Sequence, residues 1–375
     1  MKRQTVIGLL CLLLLFLSTA AHAKIVFSSM HVGPDSLYGV YIMDDDGSNI
    51  TPLTESKTLR PAGGTWSPDG QQILFQRRVR INAKKVFFLM NADGTNVRQL
   101  TKNDGSLING GRFSPDGKSI VFGRDIQIND EWKVGIYVLN IKTGMIEQIS
   151  DEWGIQCDWS PDGKHIVFAR GQTIGSNSTI WIMGADGHNP RPLIPNPGPG
   201  EFATYRYRPR WSPDGKQILF QEKEYKYVPI PNEGNFPIFK AFRYIICDRN
   251  GDNIKHLQIP KDWDGYGGVD WMDDGKSIIF GAREGIPLDK PLWRGFVYPP
   301  CNIYKYHIWT HAITQLTDRP GWDWTLDWIS DDVLSVSPKG KMQTQWGKLK
   351  KFLQSRSEAF KALSQNVLFY LQNQR

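Results

Sequence analysis

Short apolar runs recur along the chain, separated by polar turn sequences. Five are triplets of β-branched and aromatic residues: Ile73-Leu74-Phe75, Ile120-Val121-Phe122, Ile166-Val167-Phe168, Ile218-Leu219-Phe220 and Ile278-Ile279-Phe280. Runs of this length and type predict buried strands. An aromatic residue and a tight turn precede each run. The clearest copies are Trp66-Ser-Pro-Asp-Gly70, Phe113-Ser-Pro-Asp-Gly117, Trp159-Ser-Pro-Asp-Gly163 and Trp211-Ser-Pro-Asp-Gly215, with looser copies at Trp271 and Trp328. Proline presets φ at its position and glycine accepts the positive φ that closes the turn.

A second hairpin completes each unit. Its first arm is Val86–Met90, Gly135–Leu139, Thr179–Met183, Arg243–Cys247 or Ile303–Trp309. Its turn is Asp93-Gly94, Thr143-Gly144, Asp186-Gly187 or Asn250-Gly251, sequences suited to tight hairpins. The aromatic positions are 47, 46, 52, 60 and 57 residues apart. Four short antiparallel strands per unit of that length predict an all-β, six-bladed β-propeller. The chain ends support closure. Ile25–Phe27, Tyr38–Met43 and Asn49–Thr54 supply the later strands of one sheet, and Leu326–Trp328 supplies its opening strand, which removes a free edge. Val333–Val336 reads as one further apolar strand, so a seventh blade stays open.

Both ends of the chain break the repeat. Lys2 and Arg3 precede an apolar run from Val6 to Leu17, and Ala21-His22-Ala23 fits a cleavage site. This predicts a signal peptide over 1–23 and a periplasmic or secreted protein. The propeller is expected over 24–338. In the tail, 339–375, Trp346, Leu349, Leu353, Phe360, Leu363, Val367 and Tyr370 recur at helical spacing beside Lys348, Lys350, Lys351, Arg356 and Lys361. That is a basic amphipathic helix, able to dock on the propeller, on a partner or on an anionic membrane surface.

Composition adds little to the fold. Aromatics make up 12% and Gly and Pro number 36 and 23, as expected of strands joined by tight turns. The net charge is +7, of which Lys2 and Arg3 supply two. No broad basic surface for nucleic acid remains. Cys157, Cys247 and Cys301 follow the predicted cleavage site. An odd count of three excludes a disulfide scaffold but leaves one pairing open.

The repeated Trp-Ser-Pro-Asp-Gly-Lys/Gln-x-Ile-Leu/Val-Phe motif, with its following Ala-Asp-Gly hairpin, resembles the TolB-type, WD-repeat-like propeller family over Lys24 to Pro338. The resemblance implies a six-bladed propeller. The family includes periplasmic TolB, which docks a peptidoglycan-associated lipoprotein, propellers attached to serine peptidases, and propeller lyases for pectin fragments. Unlike these, the chain offers no N-terminal TolB domain and no hydrolase domain, and no Gly-x-Ser-x-Gly elbow occurs.

Two constellations carry candidate chemistry. The residue before each repeat aromatic is Thr65, Arg112, Asp158, Arg210, Asp270 or Asp327. Five of these are ionisable on the strand expected to line the channel. Successive blades would alternate their sign, giving a blade-to-blade ion-pair ring or a polar lining for a ligand. The segments leading into those strands are aromatic and acidic: Trp153, Tyr205, Trp263, Asp264, Tyr266, Trp322, Asp323 and Trp324. Around one channel mouth they would form a stacking surface for a peptide or a sugar, or pack between blades. Pro195–Gly200, Tyr225–Phe239 and Ile286–Pro300 read as long ordered loops over one face. No cofactor is expected. His307 and His311 lie on a strand leading into a turn, and Asp44–Gly47 fails the calcium-loop template, so no metal site is expected either. These features favour a monomeric, non-catalytic binding scaffold for an envelope protein or peptide, peptidoglycan-linked in one version. The alternative is a carbohydrate-active lyase or hydrolase drawing on Asp151, Glu152, Asp262, Asp264 and Asp323.

Overall fold

The computed structural model describes residues 23–31, 36–171, 177–198, 200–230, 234–272, 275–292 and 296–336. The predicted signal peptide, apart from Ala23, and the basic tail 339–375 lie outside the described residues.

Six four-stranded antiparallel sheets form the blades. The first holds β1 (Lys24–His31), β2 (Leu37–Asp44) and β3 (Thr51–Ser56). The second is β4 (Ala62–Trp66), β5 (Gln72–Arg78), β6 (Lys85–Asn91) and β7 (Arg98–Gln99). The third is β8 (Leu107–Phe113), β9 (Ser119–Ile128), β10 (Glu131–Asn140) and β11 (Ile146–Ser150). The fourth is β12 (Gly154–Trp159), β13 (His165–Arg170), β14 (Thr179–Gly184) and β15 (Arg191–Pro192). The fifth is β16 (Ala203–Trp211), β17 (Gln217–Ile230), β18 (Gly234–Asp248) and β19 (Lys255–His256). The sixth is β20 (Asp264–Trp271), β21 (Ser277–Arg283), β22 (Asn302–His307) and β23 (Ile313–Gln315). β24 (Trp322–Ile329) returns to the first blade and pairs with β1, setting Lys24 opposite Ile329 and Met30 opposite Trp322. The two ends of the repeat thus close one sheet.

The turn chemistry is repeated in detail. Ser67 Oγ donates to Asp69 Oδ1 at 2.6 Å and accepts from the Gln72 amide at 2.9 Å, while the Gly70 amide donates to the Ser67 carbonyl at 2.8 Å. Ser114, Ser160 and Ser212 make the same bonds in their own turns. The second-hairpin glycines meet the preceding blade. A Cβ on Gly187 would lie 1.8 Å from the Ile149 carbonyl, and one on Gly251 2.1 Å from that of Leu193. Only glycine allows this approach, and both positions have φ near +90°.

Between blades the triplets interdigitate. Val121 and Ile136 of the third blade pack with Cys157, Ile166, Phe168 and Met183 of the fourth. Phe75, Phe122, Phe168, Phe220 and Phe280 are all fully buried, and truncating any one to alanine costs about 3–5 kcal/mol. Cys157, Cys247 and Cys301 are free and buried. Burial pushes the Cys157 and Cys247 thiols up to about 12, so they serve as small apolar groups.

Two expectations change. Tyr225–Phe239 is not a loop over most of its length. It is the outer part of the β17–β18 hairpin, where Tyr225 pairs with Phe239 and Ile230 with Gly234. Tyr225, Phe239 and Phe242 pack there on Ile286 and Leu292. Val333–Val336 is not a strand: it lies in α1 (Asp331–Val336), whose first turn carries Asp331 and Asp332, acids that suit a helix N-terminus. The described residues hold six blades.

Candidate functional site

The innermost strands β4, β8, β12, β16, β20 and β24 each depart from regular pairing near the same place. Register slips between Ala62 and Thr65, Asn109 and Arg112, Ile155 and Asp158, Tyr207 and Arg210, and Asp264 and Gly268, and on β1, opposite β24, between Val26 and Ser28. The residue three before each repeat aromatic is left-handed: Gly63, Gly110, Gln156, Arg208, Gly268 and Thr325, with φ of 72°, 73°, 56°, 55°, 102° and 52°. Such bulges re-aim side chains at a barrel rim. Glycine takes the conformation freely, whereas Gln156, Arg208 and β-branched Thr325 hold it at a cost of about 1–3 kcal/mol each. Gln156 Oε1 accepts the Arg208 amide at 2.9 Å, and Arg208 Nη1 donates to the Tyr266 carbonyl at 2.7 Å and that of Gly265 at 3.1 Å. These bonds tie blades four, five and six together.

Two residues further along each strand lies the charged ring. Its direct ion pairs do not run from blade to neighbouring blade, as the alternating signs suggested. Arg112 of the third blade reaches across the channel to Asp270 of the sixth, at 2.9 Å, and to Asp327 of the first. Neighbouring blades are joined instead through backbone: Asp158 accepts the Trp211 amide at 2.9 Å, Asp327 accepts that of Trp66 at 2.6 Å, and Thr65 Oγ1 donates to the Gly111 carbonyl at 3.1 Å. Burial lowers the Arg112 guanidinium's affinity for its proton, but Asp327, Asp270 and Asp158 together more than reverse this and hold it above its usual range. Burial raises the Asp327 carboxyl to about 8. Arg112 opposes the rise, while Asp270, which shares a hydrogen bond with it, adds to it. The two carboxyls therefore hold one proton between them.

Arg210 occupies the same repeat position as Arg112 and fares differently. Among the described residues its Nη1 donates only to the adjacent Pro209 carbonyl, at 2.7 Å, and its buried Nε has no partner. Burial, and then the like charge of Arg112, lower it to about 10. A cavity of about 230 Å³ lies on the mouth side of this ring. Lys85, Arg112, Arg208 and Arg210 line it, with Gln156 and Trp324, and no carboxylate does. Burial, followed by Arg78 and Arg60, brings Lys85 down to about 8.

The expected mouth residues divide. Tyr266 and Trp322 meet edge to face at 5.7 Å. The Arg283 guanidinium lies 4.4 Å from the Tyr266 ring centre and 4.0 Å from that of Tyr298, and is ion-paired with buried Asp264. Trp324 faces the cavity. Trp153 is exposed. Tyr205 joins Tyr207 and Tyr225 around the Lys223 ammonium, which lies 5.0–5.7 Å from the three rings. Trp263 meets Tyr304 at a tilt, with ring centres 4.7 Å apart, and packs against the blade-six core. Asp323 is buried, and burial raises its carboxyl despite hydrogen bonds from Ser29 and Thr317. Of the other acids, Glu152 pairs with Arg170 at 2.7 Å. His307 bonds to Thr310, and His311 to Tyr306.

Arg208, Gln156, Thr325, Lys85, Lys223, Arg283 and Tyr298 were not singled out from the sequence. For the first three a signal exists: aligning the repeats shows that position occupied by glycine in the other three blades.

The fold has relatives among solved structures. TolB from Acinetobacter baumannii superimposes with a TM-score of 0.60 at 18% identity, covering 82% of this chain and 66% of that one. Kuenenia stuttgartiensis hydrazine synthase gives 0.58 at 15% identity, covering 82% and 47%. A chain of the nidogen/laminin complex gives 0.55 at 9% identity, covering 82% and 98%. This chain thus spans two thirds or less of the first two. At these identities the likeness concerns the fold alone. No curated protein matches the sequence significantly. The model of the TolB beta propeller domain matches residues 18–233, more than half of the chain, including four of the turn repeats. With six closed blades around a charged channel, the chain belongs to the TolB beta propeller domain family.

Proposed function

We propose that this protein is an exported, non-catalytic TolB-like propeller that acts as a monomeric scaffold for an envelope protein or peptide, bound at the channel mouth. In this reading 1–23 is removed as a signal peptide, 24–338 is the propeller and 339–375 is a basic helical tail. The observation that carries the reading is the platform of Tyr266, Trp322 and Tyr298 built around Arg283. Tyr266 is 41% exposed, yet its ring is held from two sides. Rigid amphipathic rings around an arginine are the usual anchors of protein recognition, because little side-chain entropy is lost on binding. Asp264, which an enzyme would need free, is committed to Arg283.

The test is a photo-crosslinking aromatic residue at Trp322 in cells, read by mass spectrometry. One dominant envelope protein, lost on Tyr266→Ala, is the expected result. Turnover of an oligosaccharide abolished by Asp264→Asn or Asp323→Asn, without such a crosslink, would overturn the reading.

A further inference from the structure

The cavity beneath the mouth has features the scaffold reading does not use. Its lining gathers four cations and no carboxylate. Arg112 is already engaged by Asp270 and Asp327. The other three have donors to spare. Among the described residues the Arg210 side chain bonds only the Pro209 carbonyl, and its buried Nε has no partner. Arg208 anchors Nη1 on blade six through Gly265 and Tyr266, with Gln221 at 3.4 Å, which fixes the guanidinium while its other nitrogens make no bond among the described residues. Lys85 makes no ion pair among the described residues. Arg210 feels Asp158, Asp270 and Asp327 but makes no ion pair with them among the described residues; a ligand that brings a carboxylate into direct contact with such partly buried cations offsets the cost of holding them there. Burial and the like charge of Arg112 depress the arginine at 210, whereas burial and the more distant Arg78 and Arg60 depress Lys85.

The backbone is committed to this arrangement as well. Gln156 and Arg208 hold left-handed conformations that glycine holds in blades two, three and six. Strain of this kind persists where surroundings over-determine it and concentrates at binding sites. Here the Arg208 and Gln156 side chains both line the cavity, and Gln156 Oε1 accepts the Arg208 backbone amide.

The remaining walls are mixed, with Thr65, Gln76 and Thr325 among apolar side chains. Leu74, Phe75, Phe87 and Leu326 line the cavity beside Trp324. A volume of about 230 Å³ is below the ~300–1,000 Å³ of pockets that hold drug-sized ligands. It suits one small group and not an oligomer. Arginine forks match carboxylates in plane, and the apolar side chains beside them suit a short apolar stem.

We infer that this cavity is a binding site for a carboxylate carried on a short apolar group, with Arg208 and Arg210 as its charge partners and Lys85 beside them. A chain-terminal apolar residue of a partner entering through the mouth has this chemistry, and so has a small free acid. The first source deepens the scaffold reading and rests on it; the second does not.

The test uses the full chain and isothermal titration with four probes: phenylacetate, a short peptide ending in Phe with a free carboxylate, the same peptide amidated, and inorganic phosphate. Saturable binding of phenylacetate or of the free-acid peptide is expected, with the amidated peptide and phosphate at least roughly tenfold weaker. Arg210→Gln and Lys85→Gln should each weaken binding by roughly tenfold, and Arg210→Lys should restore part of it. Lys85→Gln changes a half-buried side chain, so it remains informative if Arg210→Gln fails to fold. Phenylacetate binding without peptide binding assigns the site to a free acid, and peptide binding assigns it to a chain terminus. Binding that is absent for both acids, equal for the amidated peptide or phosphate, or unchanged in both variants would overturn the inference. Because purified protein is used, failure of the crosslink in cells leaves this result separate.

Discussion

Arg112 and Arg210 stand at the same place in their repeats, each before an aromatic-Ser-Pro-Asp-Gly turn, and meet opposite fates. On the blade-three side of the channel, Arg112 is clasped by two carboxylates and held above its normal range. On the blade-five side, Arg210 makes no ion pair among the described residues, and burial with the charge of Arg112 outweighs the pull of Asp158, Asp270 and Asp327 and lowers it to about 10. The difference does not come from local sequence. It comes from which blades face each other: blade three looks across at Asp270 and toward Asp327. One half of the ring is therefore a structural tie. Both arginines border the cavity, but Arg210 is the one that reaches it with donors to spare.

The contrast breaks first at Arg112. Arg112→Met leaves Asp270 and Asp327 buried without their cation and should cost about 3–5 kcal/mol, read as a lower urea midpoint. The proton shared by those carboxyls gives the next test. A carboxyl held at about 8 in the fold, against 3.8 when unfolded, binds a proton that the unfolded chain has released. Its contribution to stability is complete below pH 4 and is lost as pH rises through about 8. The thermal midpoint should therefore fall from pH 5 to 8 through this pair. Asp327→Asn, which keeps the acceptor for Trp66, should flatten the fall, and an unchanged slope would place the proton elsewhere. A smaller effect is expected at the bulge. Thr325→Gly relieves a left-handed β-branched residue, offset by the extra freedom of the unfolded chain, and should change stability by under about 1 kcal/mol in the stabilising direction. The reciprocal Gly63→Thr, with open space around its Cβ but φ of 72°, should be destabilising in the same denaturation assay.

The sequence exposed the fold because the same local chemistry recurs, a turn written clearly four times and loosely twice and a triplet written five times, and local signals are the ones a chain states openly. The channel ring was legible for the same reason: position within the repeat fixed its strand. What each member bonds to was not, since Arg112 and Asp270 are 158 residues apart and meet only once the disc closes. Trp263 lies one residue ahead of β20, and the sequence left open whether it faces the mouth or packs between blades; it packs on Tyr304 and the blade-six core. Arg283 stands at the end of a strand read only for its apolar core, and it meets Tyr266 of β20 and Tyr298 of the loop before β22, a segment no repeat predicts.

The measurement that bears most directly on the asymmetric ring is the stability of Arg210→Met, determined by urea denaturation alongside Arg112→Met under identical conditions. Arg210 has little bonding to lose, and methionine keeps an apolar stem in its place. The expected result is a free energy within about 1 kcal/mol of the parent protein, while Arg112→Met falls several times further. Equal losses at the two positions would contradict a ring tied on one side and unsatisfied on the other.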